Sequence, residues 1–494
     1  ARKRFSSSLY NTFAILAVAL SVISVHPTAH AIYRLVNPNR SGLPMVNFYV
    51  KPSIEATPLN PPNIVWIYGE SLERTYLDES AFPGLMPNLK EIESESLSFT
   101  DIEQVGSSGW TIAGLVASQC GIPLVVTGGD GNSMDSMPTF LPGATCIGDL
   151  LKKASYTLTF MGGADTVFAG KGKFFRTHGF DEVLGSTELL PLIEDKKYRN
   201  DWGLFDDSLL GLGLKKFDSL LAMKKPFGLF MLTLDTHHPV GYMSKECGDL
   251  VYGDGSDPIL NAVHCSDRLI AKTVREIVRK DPNTLVIVGS DHLAMPNTVY
   301  EKLTSLTRKD LLLFHWPSRL KTAKNSRMGS TYSSGATVLD VMGFETAGIG
   351  LGRSMLGDRP TLRESIPNVQ EAMSGWDHEF RKFWSIPENP KSIHIDPTRQ
   401  FVSFSGSLYK LPLIVDISES EKYPRLYYEN KVEPLSDVIT KLGPETRSIW
   451  LDNCERVLAV IEKNWYGSSK ETCVWDDKLR KITRVESAFE YALK

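Results

Sequence analysis

The segment Asn63-Ile-Val-Trp-Ile-Tyr68 is a short run of apolar and aromatic residues that Gly69 closes. Two runs of the same kind follow at Phe227–Leu234 and Thr284–Gly289. Continuous apolar runs of this length are typical of strands buried on both faces of a mainly parallel sheet. Stretches with helical character separate these runs, namely Met86–Ser96, Thr111–Ser118, Asp206–Ala222 and Cys265–Lys280. The alternation predicts an α/β domain in which helices flank a central, mainly parallel sheet.

The N-terminal region has the pattern of a membrane segment. Residues 1–33 begin with the basic cluster Ala1-Arg2-Lys3-Arg4, and an uncharged stretch with an apolar centre at Phe13–Val25 follows. This pattern predicts a transmembrane helix whose basic end stays in the cytoplasm. A secretory signal peptide is the competing interpretation, because Ala29-His30-Ala31 resembles a small-residue cleavage site. Both interpretations put the bulk of the chain outside the cytoplasm.

Changes in composition predict where the other parts of the chain begin and end. Residues 34–62 are rich in Pro, Asn and Ser and are expected to form a linker. Residues 63–385 contain the apolar runs described above and form the predicted main domain. Short strand-like segments and frequent prolines follow, so residues 386–494 are expected to form a smaller C-terminal α+β module.

Composition limits the class of protein. With 42% hydrophobic and 23% charged residues among 494, the chain has the composition of a globular protein and not of a disordered one. The 54 basic and 58 acidic residues give a net charge of -4, which offers no electrostatic signal for a nucleic-acid partner. Sequential disulfides in an oxidising compartment are the simplest interpretation of the six cysteines, although spacing alone leaves their connectivity open. The cysteines are Cys120, Cys146, Cys247, Cys265, Cys454 and Cys473.

Polar side chains follow each of the three predicted strands. Glu70 comes after the first strand, the pair His237-His238 after the second and the pair Asp291-His292 after the third. Ligands of open parallel sheets gather at the carboxyl ends of the strands. Carboxylates and imidazoles together suit a divalent cation such as Mn²⁺, Mg²⁺ or Zn²⁺. A carboxylate after a strand can also be a simple helix cap, so the three positions taken together carry the prediction of a metal site.

A hydroxyl group that such a metal could activate lies at Thr111. A loop rich in Gly and Ser, residues 106–109, runs into the helical stretch that begins at this threonine. The N-terminus of a helix favours anions, and a bound metal lowers the pKa of a hydroxyl enough to make a nucleophile. Simple capping of the helix is the alternative role for Thr111.

These residues lie in motifs that resemble the phosphoglycerol transferases of the alkaline phosphatase superfamily, which decorate osmoregulated periplasmic glucans. Lipoteichoic acid synthases resemble the chain more distantly. The similarity extends over roughly residues 63–413. The motifs that carry it are Tyr68–Tyr76, Trp110–Leu124, Arg199–Gly203, Asp235–Pro239 and Ser290–Met295.

The resemblance implies a role for each matching residue. Glu70, Thr111, Asp291 and His292 would together hold one divalent metal ion, for which Mn²⁺ is expected and Mg²⁺ or Zn²⁺ are alternatives. Thr111 would also be the nucleophile. An alkaline-phosphatase-like sandwich, with the C-terminal module and the N-terminal membrane helix added to it, is the fold that the resemblance implies.

The activity implied is transfer of phosphoglycerol from phosphatidylglycerol to a periplasmic glucan. The reaction would pass through a phosphoglycerol-threonine intermediate and release diacylglycerol. His237 and Lys171 would contact the headgroup of the donor, although lipoteichoic acid synthases have Arg where we match Lys171. The lipid bilayer would be a further partner, with the protein in the bacterial inner membrane and its catalytic domain in the periplasm.

Four other functions compete with this one. Phosphoethanolamine transfer and phosphodiester hydrolysis would use the same nucleophile with another headgroup or with water as acceptor. A module that only binds glucan or lipid would have no need of a metal-activated hydroxyl. Sulfatase activity is disfavoured, because the segment Cys120-Gly-Ile-Pro-Leu124 lacks the spacing and the Arg of the sulfatase signature.

Overall fold

The computed structural model describes residues 43–126, 132–137, 139–385, 389–404, 406–418, 423–429, 434–443, 445–463 and 471–493. The membrane helix predicted within residues 1–33 lies outside these described residues. Within the described ranges, no helix combines the length and the apolar character needed to cross a bilayer.

The α-helices lie mostly between the strands of the main domain, as the alternating pattern predicts. In the described residues they are α1 (Pro87–Ser94), α2 (Thr111–Cys120), α3 (Ile147–Lys153), α4 (Lys171–Thr177), α5 (Ser186–Leu189), α6 (Asp206–Ala222), α7 (Pro258–Lys280), α8 (Tyr300–Thr304), α9 (Ser333–Val341), α10 (Leu362–Ser365), α11 (Val369–Gly375), α12 (Asp377–Phe380), α13 (Leu435–Lys441) and α14 (Cys454–Ile461). Helix α7 begins at Pro258 and not at Cys265, because the Asp257 side chain accepts hydrogen bonds from the N–H groups of Ile259 and Leu260. This is the N-cap arrangement, and proline is well tolerated in the first turn that follows it.

The three apolar runs all form strands. In the main domain the strands are β1 (Ile64–Gly69), β2 (Leu97–Phe99), β3 (Ile102–Glu103), β4 (Thr157–Gly162), β5 (Glu182–Leu184), β6 (Phe227–Leu232), β7 (Leu285–Ser290), β8 (Leu312–His315), β9 (Ala323–Asn325) and β10 (Gly329–Ser330). Eight of them form the central sheet in the order β5-β4-β6-β1-β7-β8-β2-β9.

The central sheet is mixed, with a parallel part and an antiparallel part. Neighbours from β5 through β7 pair in parallel, whereas β8 is antiparallel to both β7 and β2. The predicted parallel part is therefore present. The edge beyond β7 consists of strands of three or four residues, which are too short to give an apolar periodicity in the sequence.

Strand β1 lies at the centre of this sheet and contributes to the core on both faces. Ile64, Trp66 and Tyr68 join one hydrophobic cluster, which includes residues of α2, α3 and α9. Val65 and Ile67 point to the other face, where they join a cluster that includes residues of α1, α6 and α7. Side chains of a strand alternate between the two faces of a sheet, so a strand covered by helices on both sides must be apolar throughout.

The C-terminal region contains two antiparallel sheets. Its strands are β11 (Ser392–Asp396), β12 (Phe401–Phe404), β13 (Ser407–Lys410), β14 (Leu413–Ile417), β15 (Arg425–Tyr428), β16 (Arg447–Asn453), β17 (Thr472–Asp476), β18 (Lys481–Val485) and β19 (Phe489–Ala492). They pair in the orders β13-β12-β11-β19 and β15-β14-β16-β17-β18. Helices α13 and α14 cover one face of the second sheet. Trp450 and Trp475 are buried in the hydrophobic cluster that these helices form with the sheet.

The cysteines pair sequentially, which confirms the simplest interpretation of their spacing. The disulfides are Cys120–Cys146, Cys247–Cys265 and Cys454–Cys473. The first of them ties the last residue of α2 to the residue before α3.

The segment from residue 43 to residue 62, which belongs to the predicted linker, lies against the main domain. The Trp376 indole N–H donates to the Leu43 carbonyl at 2.7 Å, and the Arg353 guanidinium donates to the Phe48 carbonyl at 2.6 Å. Val50 forms an isolated bridge with Gly350. This part of the segment is therefore held by the domain that follows it.

Candidate active site

Two carboxylates and an imidazole meet at the carboxyl end of the central sheet. Strand β1 pairs in parallel with β7 so that Gly69 lies opposite Ser290. Glu70 and the pair Asp291-His292 directly follow these two strand ends, and all three side chains are buried. Their ligand atoms lie within 4.8 Å of one another. The strand register therefore brings together two segments that are far apart in the sequence.

The hydrogen bonding around this cluster leaves two buried atoms without partners. Among the described residues, neither Oδ2 of Asp291 nor Nε2 of His292 has a hydrogen-bond partner. These atoms are 3.4 Å apart, and the same nitrogen lies 3.4 Å from Oε1 of Glu70. Because a carbonyl only accepts hydrogen bonds, the 2.8 Å contact between His292 Nδ1 and the Leu293 carbonyl puts the imidazole hydrogen on Nδ1. Nε2 is thus the nitrogen that can bind a cation in place of its proton, and the donor set fits a divalent metal ion.

Ser71 fixes the orientation of both carboxylates. Its N–H donates to Oδ1 of Asp291 at 2.8 Å, and its hydroxyl donates to Oε1 of Glu70 at 3.1 Å. The backbone N–H of His292 also donates to Oδ1 of Asp291, at 2.8 Å. Ser71 is not among the site residues predicted from the sequence, and its φ of 54° lies in the left-handed region. Its position directly after Glu70 is the only sign of this role in the sequence.

Helix α2 brings Thr111 to the cluster. Thr111 is the first residue of the helix, and its hydroxyl donates to Oε2 of Glu70 at 3.2 Å. One turn later, the helix packs directly on the loop after β7 at Gly114. A Cβ atom there would lie only 1.8 Å from the carbonyl oxygen of Asp291. A glycine is needed at this close approach, and the approach sets the distance between the nucleophile candidate and the ligand candidates.

The three clustered groups change one another's protonation. Burial alone would raise the pKa of Glu70, but the positive charge of the nearby His292 outweighs it and holds that pKa below its usual value. Burial and the charge of Glu70 raise the pKa of Asp291 well above its usual value. Burial disfavours the charge on His292, yet the two carboxylates raise its pKa to about 10. Strongly perturbed ionisable groups in one buried cluster are typical of functional sites.

The structure also brings Lys171 into the field of this cluster. Lys171 is the first residue of α4, is buried, and donates from Nζ to the Phe168 carbonyl at 3.1 Å. Burial lowers its pKa to about 8, against the attraction of the carboxylates of Glu70, Asp165 and Asp291. A buried ammonium group beside these carboxylates can contribute positive charge toward an anionic ligand.

His237 lies in the loop after β6, at the same end of the sheet. Its Nδ1 donates to the His238 carbonyl at 2.7 Å, which leaves Nε2 available. The imidazole lies 4.1 Å from the ring of Trp202, measured between ring centroids. Trp202 is partly exposed and lies 6.2 Å from the Phe168 ring. Trp202, to which the sequence assigned no chemical role, thus forms one aromatic group with His237 and Phe168.

Two buried carboxyl groups hold the Trp202 and His237 loops together. Asp206 accepts a hydrogen bond from the Asp235 N–H at 3.2 Å, and Asp235 accepts one from the Asp206 N–H at 3.1 Å. Asn200 donates to Asp235 at 3.4 Å and accepts from the Trp202 N–H at 2.9 Å. Burial raises the pKa of Asp206 to about 6. This network links the start of α6 to the loop after β6.

Comparisons with known proteins agree with this arrangement. The family model described as Sulfatase matches residues 62–344, and the model described as Phosphoglycerol transferase I, middle domain, matches residues 391–491. A curated relative from Salmonella arizonae, named phosphoglycerol transferase I, is 37% identical over 454 residues, which cover 91% of this chain and 59% of the relative. The chain spans about three fifths of the length of the curated relatives that it matches. These matches confirm the resemblance to phosphoglycerol transferases.

Two solved structures share the fold. A protein in the alkaline phosphatase superfamily from Vibrio parahaemolyticus has a TM-score of 0.52 at 22% identity, covering 64% of this chain and 74% of its own. The lipoteichoic acid synthase LtaP from Listeria monocytogenes has a TM-score of 0.50 at 14% identity, covering 62% of this chain and 79% of its own. The expected alkaline-phosphatase-like α/β fold is therefore confirmed, with a mixed central sheet. Because the sulfatase model spans more than half of the sequence, the chain belongs to the sulfatase family.

Proposed function

We propose that this protein transfers phosphoglycerol from phosphatidylglycerol to a periplasmic glucan. In this proposal Thr111 is the nucleophile, and Glu70, Thr111, Asp291 and His292 hold one divalent metal ion, with Mn²⁺ the first candidate. Diacylglycerol is the first product. The relatives named phosphoglycerol transferase I, together with the match to the middle domain of that enzyme, support the choice of phosphoglycerol as the transferred group.

The hydrogen bond from Thr111 to Glu70 is the observation that carries the proposal. It joins a hydroxyl at a helix N-terminus to a cluster of buried groups that includes two atoms without partners. A protein that only binds glucan or lipid has no need of a hydroxyl at this position. The only cysteine of the same helix, Cys120, lies at its other end in a disulfide with Cys146 and cannot replace Thr111 as nucleophile.

The first step is attack by Oγ of Thr111 on the phosphorus of phosphatidylglycerol. The Thr111 hydroxyl loses its proton as the bond between Oγ and phosphorus forms, the bond from phosphorus to the diacylglycerol oxygen breaks, and that oxygen leaves and takes up one proton in balance. A divalent metal ion in the site supplies positive charge that lowers the pKa of the Thr111 hydroxyl and neutralises phosphoryl oxygens. The helix N-terminus and the Lys171 ammonium add positive charge on the protein side.

The second step is displacement of Thr111 by a hydroxyl group of the glucan. The phosphorus-threonine bond breaks, the bond to the sugar oxygen forms, and the threonine hydroxyl is restored. His237 would hold the glycerol part of the headgroup through its available Nε2 in both steps. With water in place of the glucan, the same chemistry gives phosphodiester hydrolysis, and with another headgroup it gives phosphoethanolamine transfer.

The proposal also covers the arrangement of the chain in the cell. Residues 63–385 would form the catalytic domain and residues 386–494 the smaller module, with the catalytic part in the periplasm. Three disulfides support an oxidising compartment. A lipid donor favours a protein held at the inner membrane, because tethering raises the local concentration of enzyme beside its substrate.

The test is a coupled assay with purified protein, phosphatidylglycerol, Mn²⁺ and a short β-glucan. Release of diacylglycerol and the mass of the glucan are measured together for the wild type, Thr111→Ala and Thr111→Ser. Thr304→Ala, at an exposed threonine at the end of α8, is the matched control. We expect diacylglycerol release and a phosphoglycerol mass gain in the wild type and the control. Thr111→Ala should lose both, and Thr111→Ser should keep part of both.

The outcomes separate the competing functions. Diacylglycerol release without glucan modification would indicate hydrolysis or another acceptor. A parallel reaction with phosphatidylethanolamine that exceeds the rate with phosphatidylglycerol would indicate the other headgroup. Release that persists in Thr111→Ala would refute the nucleophile. Tandem mass spectrometry of rapidly quenched enzyme should find phosphoglycerol on the peptide that contains Thr111.

A further inference from the structure

An ion pair with a fully buried carboxylate lies next to the proposed metal site without belonging to it. Glu73 comes three residues after Glu70 and is completely buried. Nε of Arg308 lies 3.0 Å from each oxygen of its carboxylate, and Nη2 of the same guanidinium donates to Oε2 as well. Arg308 is itself mostly buried, with 14% of its side chain exposed. The two residues are 235 positions apart in the sequence.

Both members of this pair bind the same backbone residue. The Ala294 N–H donates to Oε2 of Glu73 at 2.9 Å, and the Ala294 carbonyl accepts a hydrogen bond from Nη2 of Arg308 at 2.6 Å. Ala294 lies two residues after His292. Its two backbone groups are thus held by one carboxylate and one guanidinium, a group that we call the Glu73–Arg308 clamp.

The clamp connects the two segments that carry the proposed ligands. Glu73 belongs to the turn that begins with Glu70, while Ala294 belongs to the turn that begins with Asp291 and His292. Between His292 and Ala294, the Leu293 N–H donates to the Gln104 side chain at 2.8 Å. The Leu293 carbonyl is the one that binds Nδ1 of His292. Any shift of Ala294 therefore moves the carbonyl that orients the imidazole.

We propose that Glu73 and Arg308 are positioning residues, which hold the His292 turn at the right distance from Glu70 for both to bind one metal ion. This inference rests on the metal site of the proposed function. A planar guanidinium can bind a carboxylate through two of its nitrogens and still donate to a carbonyl, whereas a lysine ammonium has no such fixed fork. Partners that orient metal ligands typically change metal affinity roughly 10–100-fold when they are altered.

A purely structural ion pair is the alternative, and it predicts a different result. Loss of one partner leaves a buried charge unpaired and lowers the stability of the whole domain. It leaves the metal affinity of the folded protein unchanged. Affinity for the metal and melting temperature without metal therefore distinguish a positioning role from a structural one.

The experiment titrates the full chain with Mn²⁺ alone and measures free Mn²⁺ by electron paramagnetic resonance. The clamp variants are Arg308→Lys, which keeps the charge, and Glu73→Gln, which keeps an acceptor for the Ala294 N–H. The double variant Glu73→Gln/Arg308→Gln removes both charges together, so it remains testable where a single variant fails to fold. Glu79→Gln is the matched control, since Glu79 makes an exposed ion pair with Lys90 at 2.8 Å.

We expect each folded clamp variant to bind Mn²⁺ roughly 10–100-fold more weakly than the wild type, at a temperature well below its melting point. Glu79→Gln should bind like the wild type. Clamp variants with dissociation constants within about twofold of the wild type would overturn the inference. A wild type that binds no Mn²⁺, or binds it equally well after Asp291→Asn, would overturn the metal site and the clamp together.

Discussion

The close packing of α2 on the loop after β7 leads to a quantitative prediction for Gly114→Ala. The new Cβ would lie 1.8 Å from the Asp291 oxygen and 2.7 Å from its carbonyl carbon. Real Cβ atoms stay at least 3.0 Å from such atoms, so the helix and the loop must separate by about 1.2 Å. Both contacted atoms belong to the Asp291 backbone, so rotation of a side chain cannot relieve the clash. Alanine favours the helix by about 1 kcal/mol over glycine, but overpacking costs about 1–3 kcal/mol or more.

The separation of α2 from the loop after β7 also moves Thr111 away from Asp291. A misplacement of about 1 Å can cost about 100-fold in rate, so we expect diacylglycerol release to fall by that factor. With the upper end of the overpacking cost and the gain in helix propensity subtracted, urea unfolding should show a net loss of roughly 2 kcal/mol. The control is Gly211→Ala in the middle of α6, where no described atom lies within 4 Å of the added Cβ and where stability should rise. Wild-type stability and rate in Gly114→Ala would refute this account of the packing.

Three further predictions concern charge and cross-links. Burial lowers the pKa of Lys171 to about 8, so the Michaelis constant for phosphatidylglycerol should rise above that pH. Lys171→Met should have a raised Michaelis constant that does not change further above pH 8. A wild-type Michaelis constant that stays flat from pH 7 to about pH 9.5 would contradict the role of the ammonium group. Burial raises the pKa of Asp206 to about 6, whereas the pKa of aspartate in an unfolded chain is near 3.9. Because the folded state prefers the protonated carboxyl, the free energy of unfolding should fall as the pH rises from about 4 to 6. Asp206→Asn should reduce this dependence of the free energy of unfolding on pH, as measured by urea unfolding. An unchanged dependence would contradict the assignment to Asp206. Replacing Cys454 and Cys473 by alanine should lower stability by about 2–4 kcal/mol while leaving Mn²⁺ affinity unchanged, as thermal unfolding and titration would show.

The long apolar strands were the part of the fold that the sequence predicted best. β1, β6 and β7 are buried on both faces, so each had to be apolar at every position, and a continuous run is visible without any knowledge of neighbours. The start of α7 was harder to predict, because its first turn rests on the Asp257 cap and not on an apolar period. The pairing of β2 with β8 could not be predicted, since a strand of three residues has no measurable periodicity.

Some residues of the candidate site could be predicted from the sequence, and others could not. Glu70 and the Asp291-His292 pair could be chosen because residues at the carboxyl ends of parallel strands meet at one edge of the sheet. Ser71 escaped notice because its role depends on a left-handed backbone angle that no sequence pattern reveals for serine. Arg308 lies in a loop without a motif and finds Glu73 only through the folded chain. Partners of this kind depend on long-range packing and become visible only in the structure.

The central place of β1 has a consequence for export of the chain to the proposed periplasmic location. Among the described residues β1 is the first strand, yet its neighbours β6 and β7 begin only at Phe227 and Leu285. A chain that crosses a membrane from its N-terminus would present β1 long before either neighbour arrives, with both hydrogen-bonding edges unpaired and an apolar surface uncovered. Such edges are sites of aggregation, and pairing of strands distant in sequence is slow. With the proposed periplasmic location, secretion is therefore expected to depend on holding factors that shield β1 until residue 290 has emerged.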